Sequence, residues 1–282
     1  MISFCKMQAT GNDFIIINCV TEKFRYSYSM LAQFLCNRKF GVGADGVIFL
    51  NAGKKAKFKM IIFNSDGSEA EMCGNGIRCL AKYIYDSNLI NEKKFEIETL
   101  AGIKEVEVIV ENNTVIGIKV NMGKPIFEYN KIPVIFPNII NKEIENIKID
   151  IEKNSYELFV ISMGNPHAIC FVDNLDAIDL EKIGPIIENY KYFPNKTNVE
   201  FVQILDKKRI KLLVWERGVG RTLSCGTGTC AASVISYLNK STNNELTVEL
   251  EGGKLKTVYN KEENKITLIG NAELVFEGKI NV

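Results

Sequence analysis

The sequence predicts an α+β fold built from two pseudo-symmetric copies of one domain, and three observations predict it. A Cys-Gly-x-Gly segment occurs twice, at Cys73–Gly76 and at Cys225–Gly228, 152 residues apart. Neighbouring positions align at almost the same shift: Gly11-Asn12-Asp13-Phe14 with Gly164-Asn165-Pro166-His167, Asp45 with Asn198, Phe63-Asn64 with Trp215-Glu216, and Gly102 with Gly253. In both halves, runs of Val, Ile and Phe precede the Cys-Gly turn and a helical period follows it. A repeat this long is a duplicated domain and not a solenoid unit, whose period would be a few tens of residues. The halves are therefore expected to fold alike, with a boundary near Gly123-Lys124-Pro125.

The elements follow in order. "NDFIIINCV", "DGVIFL" and "KFKMIIFN" read as strands in the first half; "LFVISMG", "HAICFVD", "VEFVQIL" and "IKLLVWE" answer them in the second. After the first Cys-Gly turn, Ile77, Leu80, Ala81 and Ile84 stand at i, i+3, i+4 and i+7. Ala231, Val234, Ile235 and Leu238 repeat that spacing, so each turn opens an amphipathic helix. A further helix is expected in each half, around Ser29–Arg38 and Leu175–Asn189. Hairpin-like breaks fall at Ala101-Gly102, Asn112-Asn113, Gly252-Gly253 and Glu263-Asn264. The stretch "NKEIENIKIDIEKN" at 141–154 alternates like a strand or loop edge and is assigned no function.

Bulk properties narrow the function. Over 282 residues, 35 Lys and Arg balance 34 Asp and Glu, and no basic stripe interleaves with aromatics. Nucleic acid and anionic membrane are poor partners for such a chain. "MISFCKMQATGNDF" lacks the features of a secretory signal, and no segment approaches the length of a membrane span, so a cytoplasmic location is expected. Eight cysteines contain no C-x-x-C pair and there is one histidine, His167, so no metal site is expected. No P-loop or dinucleotide fingerprint appears, nor any sign of a Schiff-base lysine, and no cofactor is expected.

A cysteine in the first turn of a helix meets unsatisfied backbone N–H groups and the positive end of the dipole. Such a setting favours thiolate, and the adjacent glycines let backbone donors approach a carboxylate. A lone buried cysteine is usually a small hydrophobe. Two in matched turns related by duplication suggest instead opposed thiols presented to one molecule. Opposed acid and base suit inversion at a carbon stereocentre: one thiolate removes a proton from one face while the other thiol protonates the opposite face. Nucleophilic chemistry is less well supported, because His167 aligns with Phe14 and not with a duplicated catalytic residue.

Together, "GNDF" at 11–14, "NSDGSEAEMCGNGIRC" at 64–79, "GNPH" at 164–167, "NVEF" at 198–201 and "ERGVGRTLSCGTG" at 216–228 resemble the signature segments of the diaminopimelate epimerase family. The resemblance implies cofactor-independent interconversion of LL- and meso-2,6-diaminoheptanedioate in lysine and peptidoglycan precursor synthesis. It implies a mostly antiparallel sheet curled around a central helix in each domain, with the active site in the interdomain cleft, closing over the substrate. Residues 1–122, rejoined by a C-terminal strand at 270–282, would form one domain and 123–269 the other. The catalytic pair matches Cys73 and Cys225. Asn12, Asn64, Asn165, Asn198 and Arg217 would bind substrate, Arg217 gripping the distal carboxylate. Glu216 would receive an ammonium, and the turns Gly74-Asn75 and Gly226-Thr227 would take the reacting carboxylate. His167 would support its loop through a hydrogen bond. The expected partner is a small diamino diacid, with homodimers by resemblance only.

Some positions depart from the family pattern. Gly46 stands where some members carry glutamine, Ala9 where glycine is frequent, Arg221 where glutamate or a neutral residue is common, and Ser224 where alanine is. Related readings are a cofactor-free racemase acting on proline or on lanthionine and, from another class, a thiol redox sensor.

Overall fold

A computed structural model of the chain describes residues 1–22, 26–135 and 146–282. The stretch at 141–154 lies outside the described residues as far as 145. The chain divides into two compact units, Met1–Asn121 with Ile269–Val282, and Met122–Leu268.

In the first unit the elements run β1 (Ile2–Ala9), β2 (Asn12–Asn18), α1 (Tyr28–Cys36), β3 (Gly46–Ala52), β4 (Phe58–Asn64), β5 (Glu69–Ala70), α2 (Gly74–Asp86), β6 (Lys94–Thr99), β7 (Gly102–Glu111) and β8 (Thr114–Gly123). The second unit holds β9 (Asn146–Ile151), β10 (Asn154–Ser162), β11 (Pro166–Phe171), α3 (Leu180–Glu188), β12 (Asn198–Asp206), β13 (Arg209–Glu216), β14 (Gly220–Thr222), α4 (Gly226–Leu238), β15 (Glu245–Leu250), β16 (Gly253–Asn260) and β17 (Lys265–Gly270). The last strand, β18 (Glu273–Ile280), pairs antiparallel with β1 from Ile2↔Ile280 onward.

The pairings repeat. In the first unit β1 pairs antiparallel with β2, β2 runs parallel to β3, β3 antiparallel to β4, β4 parallel to β6 and β6 antiparallel to β7. In the second, β10, β11, β12, β13, β15 and β16 are joined in that same sequence of senses. The short ribbons β5 and β14 sit on β4 and β13 respectively. Each sheet is thus mostly antiparallel, with two parallel joints, the second of them bridged by the helix that follows the Cys-Gly turn. The α+β class and the duplication are as the sequence reads.

That helix is the centre of its unit. Helix α2 packs on β1, β2, β3, β4 and β7, and α4 on β10, β11, β12, β15 and β16. Ile77, Leu80, Ala81 and Ile84 are all fully buried, each large apolar side chain contributing about 1.5–3 kcal/mol. The matching Ala231, Val234 and Ile235 are also fully buried, while Leu238 lies partly exposed at the end. Helices α1 and α3 lie outside, α1 over an apolar cluster with Leu31, Leu35, Val47 and Phe49, α3 over one with Ile183, Ile187, Val199 and Phe201. The region expected as one helix over Leu175–Asn189 is a 3-10 turn at Leu175–Ala177 and then α3, because Asp179 caps a fresh N-terminus by accepting from Lys182 N.

Candidate active site

Both cysteines of the repeated turns are helix N-caps. Cys73 caps α2 with an extended backbone (φ −135°, ψ 123°), and its Sγ accepts from Gly76 N at 3.4 Å. Cys225 caps α4 alike (φ −125°, ψ 118°), Sγ accepting from Gly228 N at 3.4 Å. Sulfur does here what Ser or Asp does at an ordinary N-cap. The second glycine of each turn serves packing. A Cβ on Gly76 would stand 3.1 Å from Ile48 Cδ1, and one on Gly228 would stand 3.1 Å from Glu200 Cδ.

In the first unit the Cys73 thiol points to Asn12 Oδ1 at 3.7 Å, and Asn75 Nδ2 donates to the same oxygen at 3.2 Å. Asn12 holds that orientation because its Nδ2 donates to Asp45 Oδ2 at 2.7 Å. Asp45 in turn belongs to a charged cluster: Arg38 bridges Asp45 and Asp13, and Lys6 pairs with Asp13 at 2.7 Å while donating to the Gly43 carbonyl. Burial works to raise the Asp13 pKa, but hydrogen bonds from Arg38 and Lys6 outweigh it and bring the value to about 2. Beneath the turn, Arg78 is fully buried, donating to the Gly74 carbonyl (3.0 Å), Thr10 Oγ1 (3.1 Å) and the Asn271 carbonyl (3.3 Å). Asn64, at the end of β4, is exposed and donates to Ser68 Oγ at 3.0 Å, away from the hydrogen bonds around Cys73.

The second unit repeats the scheme with different side chains. Asn165, just before β11, donates to Thr227 Oγ1 at 3.4 Å, and Thr227 Oγ1 lies 3.4 Å from Cys225 Sγ. Asn165 Oδ1 stands 3.0 Å from His167 Nε2, and His167 Nδ1 stands 2.7 Å from Glu200 Oε1. His167 and Glu200 are both fully buried. Asn198, first in β12, donates to the Pro166 carbonyl at 2.8 Å and accepts from Arg217 N at 3.0 Å. Glu216, last in β13, accepts from Thr222 Oγ1 at 2.7 Å. Burial pushes the Glu216 carboxyl up, against the bonds from Thr222 and Cys225. The Arg217 guanidinium is exposed and makes a 3.3 Å bond to the Asn195 carbonyl.

The expectation that helix position favours thiolate is overturned at Cys225. Its pKa lies well above the usual thiol value, because burial disfavours the charge and the Glu216 and Glu200 carboxylates add to that; the Thr227 and Gly228 bonds oppose it without prevailing. Among the described residues, no group of three or more His, Cys, Asp or Glu side chains could hold a metal ion, and no helix is long and apolar enough to cross a membrane.

The duplicated N-cap cysteines, each tied to an asparagine amide in its own unit, coincide with a known family. The model of the diaminopimelate epimerase family matches residues 4–128 and 159–275. The chain belongs to the diaminopimelate epimerase family. Among its relatives, the diaminopimelate epimerase of Methanococcus maripaludis is 44% identical over 283 residues, covering 100% of both chains. That of Acetivibrio thermocellus is 43% identical, covering 99% of this chain and 98% of its own. Among solved structures, a Bacillus anthracis phenazine biosynthesis protein of the PhzF family superposes with a TM-score of 0.71 at 18% identity, covering 100% of this chain and 99% of that one. A hydroxyproline epimerase from Agrobacterium vitis gives 0.70 at 12%, covering 99% and 90%. These two share the fold.

Two of the four departures from the diaminopimelate epimerase pattern, Gly46 and Arg221, have local explanations. A Cβ at Gly46 would stand 2.8 Å from the Phe63 carbonyl oxygen, so the backbone there excludes a side chain as it stands. Arg221 forms a two-pronged pair with Glu251 on the surface of the second unit. Asp45 stands out in the sequence only as the repeat partner of Asn198, and Arg78 and Glu200 only as members of the Cys73 and "NVEF" segments, yet each supports the site.

Proposed function

We propose that this chain epimerises diaminopimelate at one α-carbon, with Cys73 and Cys225 as the paired acid and base. The observation that carries the reading is the matched pair of sulfur N-caps, Cys73 beside the Asn12 amide and Cys225 joined to the Asn165 amide through Thr227, in a member of the diaminopimelate epimerase family. Burial and the flanking carboxylates keep Cys225 protonated at rest, so it enters as the acid when Cys73 removes the α-proton from the other face. In the reverse direction the roles exchange: Cys225, left as thiolate after giving up its proton, removes the α-proton while Cys73 returns one to the opposite face. The turns Gly74-Asn75 and Gly226-Thr227 hold the reacting carboxylate at two helix N-termini, where developing negative charge is favoured. Asn12, Asn64, Asn165 and Asn198 fix the amino acid groups, Glu216 also meets an ammonium, and Arg217 takes the distal carboxylate. The reaction requires both sulfurs to reach the same carbon, and the enzyme is expected to work in the cytoplasm as a homodimer.

Solvent-deuterium incorporation tests the reading. The purified protein should exchange the α-proton of diaminopimelate and convert LL to meso, with little action on lanthionine and none on proline. Cys73→Ala and Cys225→Ala should each abolish epimerisation in both directions. Substantial two-way turnover by either variant would eliminate the two-base scheme, and absence of exchange on every candidate amino acid would leave the thiol-sensor reading standing.

A further inference from the structure

Glu188 ends helix α3, where a carboxylate opposes the helix dipole, and it is only 5% exposed. Burying an acid there is unfavourable unless its oxygens are well bonded. They are. Oε2 accepts from the Trp215 indole Nε1 at 2.8 Å, Oε1 accepts from the Gly218 backbone N at 2.9 Å, and Lys196 Nζ lies 3.4 Å from Oε1. Burial works to raise the pKa of this carboxyl, yet the bonds from Trp215, Gly218 and Lys196 hold it below the usual value.

The two short bonds have a particular placement. Their donors, residues 215 and 218, bracket Glu216 and Arg217. Between them the chain turns back: Gly218 has φ +74°, and Val219 N donates to the Glu216 carbonyl at 3.0 Å. On its other side the turn is held by Asn198, which accepts from Arg217 N. The indole packs closely on Gly184 of α3, where a Cβ would stand 2.6 Å from Trp215 Cδ2.

We propose that Glu188 is a positioning residue that staples the 215–218 turn through both carboxylate oxygens, so setting where the Arg217 guanidinium meets the distal carboxylate of the substrate. The inference rests on the reading of Arg217 given above. It assigns to a buried acid outside the reaction the task of holding the distance between the reacting end and the distal end.

The test uses the full-length chain. Glu188→Gln keeps shape but replaces one acceptor oxygen by a donor NH₂, so it loses one of the two bonds. Trp215→Phe removes the other donor while keeping an aromatic ring on Gly184. Each should raise the KM for diaminopimelate at least tenfold while kcat falls less than threefold, and where the Gln NH₂ faces Gly218, Glu188→Gln should speed amide hydrogen exchange there at least tenfold. Trp215 is the sole tryptophan, so where the Gln NH₂ faces the indole a shift of intrinsic emission in Glu188→Gln reports loss of that hydrogen bond without any substrate. Wild-type KM in both variants, or a fall in kcat and stability with KM unchanged, overturns the proposal. Arg217→Ala separates the two readings. If that variant keeps a wild-type KM, the assignment of Arg217 is wrong; if its KM rises while those of Glu188→Gln and Trp215→Phe do not, the staple is.

Discussion

Replacing Glu200 tests how the second unit keeps its site in order. Glu200 and His167 are each fully buried and joined at 2.7 Å, and His167 carries the chain of contacts on to Asn165, Thr227 and Cys225. Glu200→Met is the informative change, since it removes the carboxylate while keeping an unbranched chain of similar length against Gly228. Breaking a buried side-chain pair by removing its charged partner costs about 3–5 kcal/mol. The lower end applies here, because Glu200 Oε2 is buried without a hydrogen-bond partner among the described residues and its removal recovers part of the loss. The expected cost is about 3 kcal/mol for Glu200→Met and about 1 kcal/mol for Glu200→Gln, which retains an acceptor oxygen for His167 Nδ1. Urea unfolding followed by Trp215 emission measures both. In the double variant with His167→Leu, the losses should fall short of additivity by more than 1 kcal/mol. His167 is the sole histidine, so its ring nitrogens give unambiguous resonances, which should move in Glu200→Met. A cost below about 1 kcal/mol, or a strictly additive double variant, refutes the reasoning.

Other outcomes follow from the same geometry. The folded-state pKa of Asp13, depressed from 3.8 to about 2, implies stability that is present above about pH 4 and is lost as the pH falls toward 2; Asp13→Asn should flatten the melting temperature over that window. Gly184→Ala puts a methyl against the Trp215 indole and should cost about 1–3 kcal/mol with a shifted emission maximum. Because burial and two carboxylates hold the Cys225 thiol protonated, its alkylation by iodoacetamide at pH 8 should be slower than that of a free cysteine, and Glu216→Gln should accelerate it, as read by peptide mass spectrometry. An unchanged rate in that variant would mean the Glu216 charge is not felt at the sulfur.

Much of the fold was legible because the apolar runs and the repeat are local signals. Strand β1 was not read, since its "ISFCKMQA" is buried on both faces and shows neither alternation nor a helical period. The parallel sense of β2 with β3 was invisible for another reason: side-chain pattern marks a strand but not the direction of its neighbour. Ribbons of two and three residues such as β5 and β14 are too short to carry a period at all. At the site, the two cysteine turns stood out through duplication. Glu200 did not, because the corresponding position in the first half is Val47 and nothing repeats. Helix position also misled at Cys225, where the local effect of the N-terminus loses to burial and, after it, to carboxylates brought in from β12 and β13.

Strand β18 has a consequence for synthesis. It completes the sheet of the first unit by pairing along β1, yet it is made last, after the whole of Met122–Leu268. At roughly 5–20 residues per second the ribosome leaves β1 without that partner for many seconds. The contiguous second unit meets no such delay and is free to mature first. A nascent chain interrupted after Leu268 would present the outer edge of β1 as a template for strands from other copies.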